Sequence, residues 1–129
     1  MIHPEFVIAS GNVGKLKEFQ QLFSATDISI CPQSQYDVPE AIEDGLSFIE
    51  NAIIKARNAA HHTGLPAIAD DSGLEVDLLN REPGIYSARW GGEKGDFKKA
   101  MNRVFKELNK KDKNWREKKI KARFVCALT

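Results

Sequence analysis

Three short stretches of this chain hold residue types that chemistry can use. The first is Ser10-Gly11-Asn12-Val13-Gly14-Lys15, which follows an apolar run and precedes a helix-like pattern. A strand that feeds a tight glycine turn aims the free N–H groups of the following helix at an anion. Lys15 adds a point charge there, and Ser10 and Asn12 add hydrogen-bonding groups. The spacing is not that of a Walker loop, which needs a wider gap between its glycines and a Ser or Thr after the lysine. Here Leu16 follows Lys15, and the Gly-x-Gly-x-x-Gly pattern is absent too. The same residues also suit a plain strand-to-helix turn with an exposed lysine, and composition does not separate the two readings.

The second stretch is Ala69-Asp70-Asp71-Ser72-Gly73. Two acids directly after an apolar strand are costly to bury unless they have partners. Neighbours on an extended segment point to opposite sides, so one acid can face a cleft while the other ties down structure. A carboxylate at a strand end suits Mg²⁺, which takes one or two carboxylates plus phosphate oxygens and water. The competing reading is an Asx-type turn before Gly73. The third stretch is the acidic Glu40-Ala41-Ile42-Glu43-Asp44-Gly45, followed by Glu50, Asn51 and Lys55. Glu43 can supply a second carboxylate to a metal. Ser47 and Glu50 have capping-box spacing, which gives Glu50 a structural task. Lys55 reads equally as half of a surface ion pair. His61 and His62, at a helix end, are expected to meet the last carbonyls. No His/Cys spacing resembles a zinc site.

The elements that position these residues follow from periodicity. Residues 6–9 read as a short buried strand and 13–23 as a helix with Leu16, Phe19, Gln20 and Phe23 along one side. Residues 28–31 alternate as a strand, and 33–45 form a polar, acidic loop. A helix opens at Ser47 and runs to about His62, with an apolar stripe of Ile49, Ala52, Ile53, Ala56 and Ala60. Residues 67–69 and 74–78 read as strands, 83–95 as a glycine-rich loop with Tyr86, Arg89 and Trp90, 97–108 as a helix capped by Asp96, and 122–129 as a last strand. Alternating strands and helices argue an α/β fold.

At 129 residues the chain suits one domain, and its 42% hydrophobic and 29% charged content is that of an ordinary globular protein. No run reaches membrane-span length, and the first residues lack a secretory pattern. Cys31 and Cys126 sit in apolar runs and read as buried free thiols, which fits the cytoplasm. Charge is uneven: residues 106–123 hold nine Lys or Arg and three acids. Such a stretch can face nucleic acid, but with Trp115 as its one aromatic it lacks a stacking platform and reads better as a solvated helix end and loop.

Four motifs taken in order, SGNVGKLKEF, EDGLSFIENAIIKA, LPAIADDSGLEVDLL and PGIYSARW, resemble the inosine triphosphate pyrophosphatase family from about Phe6 to Leu128. The resemblance implies an elongated mixed α/β sheet flanked by helices, with two lobes and a nucleotide cleft between them. It implies Mg²⁺-dependent hydrolysis of nonstandard purine triphosphates (of inosine, deoxyinosine or xanthosine) to the monophosphate and pyrophosphate, by a cytoplasmic homodimer. By motif match, Ser10, Gly11, Asn12, Val13, Gly14 and Lys15 bind the triphosphate, Glu43 and Asp71 hold the metal, Asp71 accepts the proton of the attacking water, Ser72 touches substrate and Lys55 faces the phosphates. Members of the family continue past the strand matching 122–129 into base-recognition segments, so the expectation is a single domain over 1–129 truncated at its C-terminus. Two further readings follow: a catalytically impaired nucleotide-binding remnant, and a nucleic-acid-binding module using 106–123.

Overall fold

The structure is a computed structural model that describes residues 4–93 and 95–129. Its strands fall into two three-stranded sheets, one parallel and one built around an antiparallel pair. In the first, β1 (Glu5–Ile8) lies between β2 (Ser29–Pro32) and β3 (Ala67–Ile68), parallel to both. A central parallel strand is covered on both faces, so it reads as a continuous apolar run rather than an alternating one. Val7 and Ile8 are accordingly buried, each contributing roughly 1.5–3 kcal/mol of apolar burial. Val7, Ala9, Cys31, Ala59 and Ala69 form the core, with Ala56 and Leu65 packed against it.

Two helices serve this sheet. Helix α1 (Val13–Leu22) follows the glycine turn, with Leu16 and Phe19 half-buried. Helix α2 (Phe48–Thr63) opens at Ser47, whose Oγ accepts the Glu50 N–H at 3.1 Å. The Glu50 carboxylate reaches back to the Leu46 N–H, one residue beyond the cap, so the expected box forms in an extended version. Gly64, at φ +70°, ends the helix. The His62 ring lies 2.8 Å from the Asn58 carbonyl, as its place at a helix end suggested.

The expected stripe of α2 holds at Ala52, which is buried, and at Ala56, which packs against the core, but its first member Ile49 is exposed, and Phe48, Asn51 and Ala59, outside the stripe, are buried. The small alanines let the helix approach the sheet, and the turn of the helix that selects them carries Asn51 inward.

The second sheet has β4 (Asp70–Val76) between β5 (Glu82–Pro83), which is antiparallel to it, and β6 (Ala122–Leu128). Asp70 and Asp71 therefore lie within a strand, not in an Asx turn. The strand stops at Val76, where a 3-10 turn over Asp77–Leu79 takes over, ended by Asn80 in the left-handed region. Helix α3 (Phe97–Lys111) runs three residues beyond its predicted end, and Asp96 caps it by accepting the Lys99 N–H. Val76, Leu79 and Leu108 form a second core, with Val104, Trp115 and Ile120 around it.

The chain divides into two compact units. One runs to Asp71 and includes Ala127–Thr129; the other is Ser72–Cys126. Each cluster of buried residues lies within one unit. Cys31 is buried as expected, but Cys126 is an exposed free thiol, because its side of β6 is not covered. Three cations of the basic 106–123 stretch meet acids at its surface: Lys110 with Glu107, Lys118 with Asp112, and Arg123 with Glu75 and Asp77.

Candidate active site

The glycine turn between β1 and α1 is held by its own side chains. Ser10 Oγ accepts the Asn12 N–H at 3.1 Å, and Asn12 Oδ1 caps the helix by accepting the Lys15 N–H at 3.2 Å. The Leu16 N–H goes to the Asn12 carbonyl. By helix geometry the N–H groups of Val13 and Gly14 then face outward from the first turn. A Cβ on Gly14 would come within 3.2 Å of Asn12 Oδ1, so the glycine keeps this cap tight. Gly11, Asn12, Val13 and Gly14 are all exposed.

Lys15 turns back from this exposed corner. Its Nζ lies 2.9 Å from Asp70 Oδ2, and Asp70 is buried. The first of the paired acids is thus tied to the glycine turn. The second, Asp71, belongs to a different cluster. Lys55 Nζ stands 3.4 Å from Glu43 Oε1 and 3.7 Å from Asp71 Oδ1. Lys55 reaches this place because α2 turns Asn51 and Lys55, one helical turn apart, toward the same side. Asp71 Oδ2 is buried with no hydrogen-bond partner among the described residues. Burial pushes the Asp71 carboxyl above its ordinary range; Lys55 opposes that rise, while the charge of Glu43 adds to it. The Asn51 side chain and the charge of Lys15 also favour the ionised form.

Asn51 is the residue that sequence reasoning left without a role. It is 1% exposed, its Oδ1 accepts the Gly45 N–H at 2.8 Å, and its side chain favours the ionised form of Asp71. It holds the loop that carries Glu43 against α2. A polar residue beside Ala52 in an apolar helix stripe was the available signal, since a buried amide requires partners. Ser72 follows Asp71 on β4, is exposed, and begins the second unit.

Gly45 shows how closely the loop is held. A Cβ there would fall 2.7 Å from both Asn51 Oδ1 and Glu50 Cβ, closer than real contacts allow. Gly45→Ala is expected to cost about 1–3 kcal/mol, read as a lower urea midpoint. An unchanged midpoint would mean the loop can move away from Asn51 freely.

The site suits a hard cation. Two carboxylates already share one positive charge, and a buried carboxylate oxygen lacks a partner. Oxygen donors in that number match Mg²⁺, which completes its shell with water and phosphate oxygens. Among the described residues no group of three or more His, Cys, Asp or Glu is placed to hold a metal by itself.

A parallel strand–glycine turn–helix unit with a carboxylate pair beside it defines the chain as a mixed α/β protein whose polar groups converge in one compact unit. A model of the Ham1 family matches residues 6–129, and the chain belongs to that family. The kinship read from the four motifs is thereby established. The chain is 54% identical over 124 residues to a dITP/XTP pyrophosphatase of Thioalkalivibrio sulfidiphilus, covering 96% of this chain and 61% of the relative. It is 49% identical to the protein of that name from Vibrio cholerae, covering 96% and 60%. A solved HAM1 protein from Coxiella burnetii superposes with a TM-score of 0.84 at 40% identity, over 97% of this chain and 61% of that one. The Ham1 protein of Staphylococcus aureus gives 0.79 at 38%, over 96% and 61%. The chain thus spans about 60% of the length of these relatives.

Proposed function

We propose that this chain acts on nonstandard purine nucleoside triphosphates, releasing pyrophosphate and leaving the monophosphate. The observation that carries the reading is the Glu43–Lys55–Asp71 cluster, with its partnerless buried oxygen, in the same unit as the 10–15 turn. The names of the relatives point to the same activity.

In this reading the outward N–H groups of Val13 and Gly14, with Ser10, Gly11 and Asn12 shaping the turn, bind phosphate oxygens, and Lys15 adds charge on the leaving pyrophosphate. Asp71 accepts a proton from the attacking water as its oxygen joins the α-phosphorus and the bond to the β-phosphate oxygen breaks. Burial lifts the Asp71 carboxyl toward the working pH, which suits a general base. Lys55 holds Glu43 and Asp71 together and faces the phosphates, and Ser72 contacts substrate. Glu43 and Asp71 would hold Mg²⁺, which supplies neutralising charge to phosphate oxygens when bound. Residues 1–129 are taken as one catalytic domain that acts as a homodimer in the cytoplasm.

The test is release of pyrophosphate from dITP, followed with and without Mg²⁺. Release that stops on chelation with EDTA is expected. Release of orthophosphate in place of pyrophosphate, or turnover indifferent to chelation, would overturn the reading.

A further inference from the structure

The second unit holds a cavity that the proposed reaction does not use. It measures about 550 Å³ and is lined by Arg89, Trp90, Lys98, Lys99, Arg103 and Lys106, with Asp96 and Asn102 between them. That volume falls within the range of small-ligand sites. Five of the side chains are cationic and one is a carboxylate, a net charge of +4 around one space. The carboxylate is already engaged, since Asp96 caps α3 through the Lys99 N–H. Lys98, Lys99 and Lys106 make no ion pair among the described residues. Like charges gathered on a concave wall repel one another and focus a positive potential that attracts anions.

The geometry restricts the kind of anion. Arg103 lies over the ring of Trp90 with its guanidinium carbon 4.2 Å from the ring centre. That contact holds a planar fork of N–H donors in place, as recognition of phosphate oxygens requires. Trp90 is itself buried and covered by Arg103, and it is the one aromatic residue of the lining. A base therefore has no open ring to stack on, which counts against a single-stranded nucleic acid. Gly92, at φ +77°, lets the Lys99 ammonium come within 3.2 Å of where a side chain would begin, so the lysine folds across the cavity wall.

We infer that this cavity is a binding site for a compact oligophosphate, a di- or triphosphate group recognised through its charge and oxygens. It is separate from the 10–15 turn in sequence and lies wholly in the other unit. The inference does not depend on the proposed reaction.

The test is calorimetric titration of the full chain with inorganic tripolyphosphate in EDTA, with dITP and a twelve-nucleotide DNA strand as separate arms. A Lys15→Ala/Lys55→Ala variant, which weakens the other phosphate site, is expected to keep tripolyphosphate binding here. Lys99→Gln/Arg103→Gln is expected to weaken that remaining binding at least tenfold with an unchanged far-UV circular dichroism spectrum. Lys106→Gln, an exposed change, should weaken it about threefold and serves if the double variant unfolds. Comparable affinity for tripolyphosphate and dITP supports recognition of the phosphates alone. Tenfold tighter binding of dITP than of tripolyphosphate by the Lys15→Ala/Lys55→Ala variant, tighter binding of the DNA strand, insensitivity to both sets of cavity variants, or no binding at millimolar ligand would each overturn the inference.

Discussion

Asp71→Asn is expected to lower pyrophosphate release from dITP by about 10²–10⁴-fold, the range of a lost general base, while the chain stays folded. Asn is nearly the same size and leaves the strand backbone of β4 untouched. It cannot take the proton of an attacking water and is a poorer donor to a divalent cation. The stability effect has the opposite direction. Burial raises the Asp71 carboxyl in the folded chain, so the folded state holds that proton more tightly than the unfolded one. Ionised Asp71 therefore costs stability, and the cost grows as pH rises from the ordinary carboxylate range through the raised folded value. Asp71→Asn removes it. Urea denaturation at pH 8 should find the variant at least as stable as the parent, with the difference shrinking toward pH 4. A variant with near-parental turnover would remove Asp71 from the chemistry, and one much less stable at pH 8 would contradict the electrostatic account.

Lys15→Met has the second largest expected effect, and it acts on two quantities. Asp70 is buried and its oxygen lies 2.9 Å from the Lys15 ammonium. Removing one partner of such a pair leaves a buried charge poorly compensated. Lys15 is itself about one-third exposed, so water screens part of the interaction, and a loss of roughly 1–3 kcal/mol is expected. Turnover should fall at least tenfold as well, since the charge that meets the leaving pyrophosphate is gone. The double variant Lys15→Met/Asp70→Asn separates the two. It should recover most of the stability, because the buried charge that lost its lysine is removed, yet recover none of the activity. Recovery of turnover in the double variant would show that Lys15 serves only to neutralise Asp70.

The positions of the elements were largely legible from periodicity, but the full buried face of α2 was not. A stripe through Ile49 has the better hydrophobic pattern. The helix keeps Ala52 and Ala56 of that stripe inward and adds Ala59, because a small side chain lets it pack close to the parallel sheet, but it leaves Ile49 in solvent. The extent of β4 was missed for a related reason. Adjacent acids look like punctuation, and only partners from elsewhere in the chain, Lys15 and Lys55, make them tolerable inside a strand. The exposure of Cys126 also escaped, since an alternating strand does not say which of its sides is covered.

The sequence by itself determined the family, the glycine turn that caps α1, the capping of α2 and α3, and the residue types available for chemistry. These are local matters: backbone donors at a helix start and side chains within a few residues decide them. Tertiary structure alone decided which lysine serves which acid, Lys15 with Asp70 and Lys55 with Glu43 and Asp71. It also decided that Asn51 is buried and holds the Gly45 N–H, and that five cations surround one cavity at the start of α3. Such pairings join residues tens of positions apart, and their strength depends on burial and on distances of a few ångströms. Neither quantity can be read along a chain before it folds.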